Sequence, residues 1–153
     1  MKLTSLAAIG LTAALAVAQA PAQRVRVGTF QKASVVVAFY RSPLWAETLK
    51  VKMAEMATAK TAKDTKKVQE LNAWGKAQQE TAHQQLAGEA PISNILEALA
   101  PGLPEIAKKA RVAMIVADLP HADGSVQSID VTEILLDWLK ADQRTRTIVR
   151  GLH

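Results

Sequence analysis

Between residues 44 and 86 the chain has no proline and a single glycine, Gly75, and is rich in Ala, Lys, Glu, Gln and Met. These side chains lose little rotamer freedom in a helix, so the whole segment is predicted helical. Its apolar stripe is uneven. Trp45, Leu49, Met53 and Met56 recur every three or four residues, residues 57–67 offer only alanine, and Val68, Leu71 and Trp74 resume the pattern. A stripe that thins to alanine has little area to bury, so its middle is expected near solvent. Two arrangements satisfy this: one continuous helix, or two antiparallel arms spanning about residues 44–87. In the second, the turn falls near Lys63-Asp64-Thr65, with Asp64 or Thr65 capping the returning arm. The hairpin is the arrangement expected.

The flanks read differently. Arg24-Val25-Arg26-Val27-Gly28-Thr29-Phe30 alternates polar and apolar residues, placing Val25, Val27 and Thr29 on one face of a strand. Residues 33–40 are apolar and contain Val35, Val36 and Val37, which favour strand, but their place in the chain equally allows a short helix. Ser42-Pro43 has the form of an N-cap followed by a first-turn proline, the start of the long helical region. After Gly88 and Pro91, residues 92–100 and 104–110 read as short helices divided by Pro101-Gly102. Residues 111–118 form a candidate buried strand, and Asp123-Gly124 a turn. Residues 126–131 are expected to pair with that strand as a hairpin. Thr132 is expected to cap a closing helix with Ile134, Leu135, Trp138 and Leu139 on one face and Arg144, Arg146 and Arg150 in a basic tail. The expected fold class is α+β: a small antiparallel or mixed sheet made from the first strand and the late hairpin, with a long helical hairpin between them.

The first twenty-two residues have the form of an export signal. Lys2 is followed by an uncharged stretch over residues 3–17, and the small residues Ala18, Ala20 and Ala22 allow cleavage before Gln23. The uncharged stretch falls short of the roughly 20 residues a membrane-spanning helix needs. The remainder, 23–153, has the size of one domain. The absence of cysteine excludes disulfides and thiolate chemistry, so an exported chain of this kind depends on packing alone. Residues 24–76 hold eleven basic and four acidic side chains, whereas residues 77–107 hold four acidic and no basic ones. The positive field therefore belongs to the first half of the mature chain.

Few residues carry candidate chemistry. His83, His121 and His153 form no ligand pattern, and His121-Ala122-Asp123 is too small a set for a metal. Neither a nucleophile elbow nor a glycine-rich phosphate loop is present, so no catalytic role, metal or cofactor is expected. The lysines Lys60, Lys63, Lys66 and Lys67 cluster at the proposed turn. They read either as a solvated face or as an electrostatic tip for acidic clients or anionic membrane. Met53 and Met56, with Trp45 and Trp74, are either packing between the arms or soft surface for unfolded chains. Export and the lack of aromatics among the lysines argue against nucleic acid as a partner.

In element order and export signal the chain resembles the Skp/OmpH-like periplasmic chaperones. Arg26-Val27-Gly28-Thr29-Phe30-Gln31-Lys32 looks like that family's opening strand and turn, and Ser42-Pro43-Leu44 like its entry to the first arm. Asp118 and Ser128-Ile129-Asp130-Val131-Thr132-Glu133-Ile134-Leu135 look like its closing strands and last helix. The resemblance implies a periplasmic homotrimer whose strands form a common body and whose arms hold unfolded outer-membrane or exported proteins without ATP. Lys60, Lys63, Lys66, Lys67, Met53 and Met56 would be the client-binding residues. The family's basic lipopolysaccharide-type site cannot be carried over to the returning arm, which lacks basic residues. The alternative is an envelope protein that binds anionic membrane or cell-wall surface through its basic helices.

Overall fold

The computed structural model describes residues 24–119 and 124–152. The expected signal segment 1–22, the mature start at Gln23, and His121, Asp123 and His153 lie outside them. The described chain runs β1 (Val25–Thr29), α1 (Lys32–Tyr40), α2 (Pro43–Thr61), α3 (Thr65–Ala87), α4 (Ser93–Leu99), α5 (Leu103–Ala110), β2 (Met114–Val116), β3 (Val126–Asp130), α6 (Thr132–Trp138) and α7 (Gln143–Arg150). The class is α+β, as expected.

The sheet is not the expected one. Its order is β2-β1-β3, and both outer strands run parallel to β1. The late hairpin does not form, because the two strands read as partners lie on opposite sides of β1. Val116 stands beside Thr29 at the end of β1, whereas the Val25 N–H donates to the Ser125 carbonyl at its start, 2.8 Å away. The chain therefore travels the length of the sheet again before β3 begins. The eight-residue strand expected over 111–118 also shortens to β2, in which Met114 is 53% exposed.

Alternation along the strands places Arg26, Gly28, Ile115 and Ile129 on one face. Ile115 and Ile129 pack on the helical core, and a Cβ at Gly28 would lie 3.1 Å from both Ile115 Cγ1 and Val131 Cγ1. The absence of a side chain there lets Ile115, Val131 and Val112 close over β1. Val25, Val27 and Thr29 do share a face, but it is the one turned away from this core.

The ambiguous apolar run after β1 is helical. It forms α1, with Val35, Val36, Ala38 and Phe39 buried at the centre of the core beside Ile95, Leu99, Leu135 and Leu136. β-branched residues are tolerated in this helix because burial, a larger effect than propensity, decides the outcome. The closing region divides in two. Lys140 adopts φ 56°, in the left-handed region, and ends α6; the Asp142 carboxylate then caps α7 by accepting from the Thr145 N–H at 2.7 Å. Thr132 does not cap α6: its N–H donates to the Asp130 carboxylate at 2.8 Å, and its hydroxyl accepts from the Gln31 N–H at 3.0 Å, tying α6 to the end of β1.

Candidate functional site on the helical hairpin

The arms form a hairpin. Ser42 caps α2 by accepting from the Trp45 N–H at 3.3 Å, with Pro43 in the first turn. At the far end Lys63 takes φ 55°, reversing the chain, and the Asp64 carboxylate accepts from the Lys67 N–H at 2.9 Å to start α3. Gly88, at φ 78°, closes α3 where a side chain would be strained. Among the described residues, the core cluster and the partly buried residues packed on it take nothing from residues 46–91. The hairpin therefore stands clear of the core beyond its base.

The tryptophans belong to that base. Trp45 and Trp74 stack across the two arms, and Trp45 also meets Phe39 and Tyr40 of α1. Below them Tyr40 donates to the buried Gln85 side chain at 3.0 Å, and Gln85 donates to the Pro91 carbonyl and the Asn94 side chain at 2.8 and 2.6 Å. This polar lock, which no periodicity announces, fixes the root of α3 to α1 and α4. The two methionines separate. Met53 is 72% exposed, while Met56 is half-buried on the side of α2 nearer α3.

The lysines separate as well. Lys60, Lys63 and Lys66 are exposed at the turn, but Lys67 is half-buried and its ammonium lies 3.9 Å from both Glu55 and Glu70. Glu55 also accepts from Lys52 at 2.9 Å. Among the described residues the unpaired positive charge at the tip comes from Lys60, Lys63 and Lys66, with Lys67 part of an ion network that joins the arms.

A feature the sequence reading did not single out is an apolar groove of about 860 Å³ between the base of α2 and the end of α6, walled by Leu44, Val51 and Trp138. The four-three spacing of Leu44, Thr48 and Val51 was its available signal. Trp138 is set there by Gly102, since a Cβ at Gly102 would lie 2.2 Å from the indole.

Among the described residues no group of three or more His, Asp or Glu side chains could hold a metal, and no helix is long and apolar enough to cross a membrane. No family model matches the chain, and no curated protein or solved structure matches it.

Proposed function

We propose that the chain is a periplasmic holdase that binds unfolded outer-membrane or exported polypeptides and keeps them soluble without nucleotide. The observation that carries this reading is the hairpin of α2 and α3. Its outer part contributes nothing to the core cluster, presents Lys60, Lys63 and Lys66 to solvent, and leaves Met53 uncovered. Such a surface suits weak, multivalent contact with chains of varied sequence, since methionine adapts its shape and lysine attracts at a distance. The resemblance to Skp/OmpH-like chaperones supports the same reading, as does the return of β2 and β3 to β1 around the helical excursion.

The arms are short. At 1.5 Å per residue, the 19 residues of α2 reach about 28 Å and the 23 of α3 about 34 Å. Clients are therefore small or only partly enclosed. The family resemblance implies three copies, but the hairpin itself does not require that number.

The exposed tip lysines also favour a second reading, attachment to anionic membrane or cell-wall polymer. A competition separates the two. Fluorescently labelled mature chain is mixed with anionic vesicles and an unfolded β-barrel protein. Holding clients predicts that the unfolded chain binds in the absence of vesicles and displaces the protein from them. Vesicle binding that the client leaves unchanged favours the envelope reading.

A further inference from the structure

The hairpin leaves one surface of α2 unused. At 100° per residue, Trp45, Lys52, Met56 and Ala59 turn toward α3. Leu44, Thr48, Val51, Glu55, Thr58 and Ala62 form a second row about 100° further round, with the alternating four-three spacing of a helix-packing seam. Two grooves lie end to end along this row and share Val51. The first is the 860 Å³ groove that ends at Trp138; the second, about 790 Å³, continues to Ala62 and Asp64. Leu44 and Val51 remain 43% and 51% exposed on this row.

We propose that this seam binds α2 of a second copy of the chain, antiparallel, about a two-fold axis. One register makes the row complementary to itself. Leu44 faces Ala62, Thr48 faces Thr58, and Val51 faces the aliphatic stem of Glu55, so large side chains meet small ones at both ends of an isologous contact.

Charge complementarity supports the same occupant. The first groove carries Glu47 and Lys140 at its edge, and the second carries Lys67 and Asp64. The two-fold pairing brings Asp64 of one copy toward Lys140 of the other. Asp137, also on the first groove, is already held by Arg146 at 2.7 Å and Lys109 at 3.7 Å, so Lys140 meets little competition from it. Like charges approach at the two-fold, Lys52 toward Lys52 and Glu55 toward Glu55, and within each copy the two offset one another, the ammonium donating to Glu55 at 2.9 Å.

The contact is small. A helix of about 28 Å packed along one seam, with the Trp138 corner, falls at the low end of specific interfaces, which bury about 800 Å² per partner. The pair is therefore expected to form and dissociate with concentration. The seam lies on the side of α2 opposite Met53 and Lys60, so pairing leaves both in solvent. The proposal stands on this surface alone and does not depend on the holding role.

Sedimentation of the mature chain over a concentration series tests it, together with the variant Val51→Lys. Val51 is exposed, so the variant should fold, as its circular dichroism will show, and its self-association should weaken at least tenfold. The chain has no cysteine, so Lys60→Cys, on the side of α2 away from the seam, and Ser128→Cys each give a single site for a nitroxide label. The register sets the two Lys60 labels fourteen residues apart along the paired helices, about 21 Å, and leaves the Ser128 labels far apart. A monomer at every concentration overturns the proposal. So does an assembly that survives Val51→Lys and brings the Ser128 labels together, since that contact runs through the sheet.

Discussion

Trp45 and Trp74 stack with ring centroids 6.1 Å apart and planes 23° from parallel, joining the first turn of α2 to the middle of α3. Trp45 also meets Tyr40 edge-on at 5.0 Å, so the stack extends into α1 and the core. The arm is held at its base by aromatic packing and further out by the ion network around Glu55.

Removing the Trp74 indole should therefore loosen the arm while leaving the core formed. Trp74 is half-buried, so Trp74→Ala is expected to cost about 2 kcal/mol, less than loss of a fully buried aromatic. Urea unfolding followed by circular dichroism measures this. A loss below about 0.5 kcal/mol would show that the stack contributes no more than an ordinary surface substitution.

The tip lysines are expected to be unequal. Replacing Lys60, Lys63 and Lys66 together with glutamine should weaken client or vesicle binding several-fold at low salt and flatten its salt dependence, because these charges are free and screened by ions. Lys67→Gln should leave binding nearly unchanged and instead lower stability by a few tenths of a kcal/mol, as is usual for surface pairs. Fluorescence anisotropy at two salt concentrations distinguishes them. An equal loss of binding in both variants contradicts the assignment of Lys67 to the ion network.

Gly102→Ala tests the seat of Trp138. The new methyl would overlap the indole, and the displaced ring would open the floor of the groove against α2. Overpacking of this kind costs about 1–3 kcal/mol. Thermal unfolding and the emission maximum of Trp138, read in a protein whose other two tryptophans are phenylalanine, report the two consequences. An unchanged spectrum would mean that the ring accommodates the methyl without moving.

Acid should loosen α7. Hydrogen bonds from the Thr145 side chain and N–H hold the Asp142 carboxyl below its ordinary value, and the positive charges of Arg41 and Arg144 add to this. A carboxyl depressed in the folded state stabilises above its unfolded value, and that contribution fades as pH falls through the folded one. Urea midpoints of the parent protein should therefore drop between pH 6 and pH 3 by more than those of Asp142→Asn, which keeps an acceptor for the cap but has no charge to lose. Parallel curves for the two proteins would contradict this.

The sequence revealed some elements well and others not at all, for physical reasons. Ser42-Pro43 and Asp64 each satisfy orphan N–H groups within a few residues, so helix starts and the turn of the hairpin are written locally. Strand order is not. Val25 and Ile129 carry the same alternation whether β3 runs parallel beside β1 or antiparallel beside β2. The pairing of β3 with β1, which seats Ser125 beside Val25, is a long-range contact that the local pattern does not encode. The split between Met53 and Met56, and between Lys67 and the other three lysines, depends on which side of each arm meets its neighbour. Composition placed these side chains together, but only the packing of α2 on α3 separated them. The Tyr40–Gln85–Asn94 lock joins residues distant in sequence and left no periodic trace.

The central claim is that this hairpin keeps unfolded chains soluble, and light scattering measures it most directly. An outer-membrane β-barrel protein is diluted from urea into buffer with the mature chain at equal molar amounts and no nucleotide. The account predicts that scattering stays near baseline, and that it rises again with the Lys60, Lys63 and Lys66 triple glutamine variant. Scattering that climbs as fast with the folded parent protein as with buffer alone would contradict it.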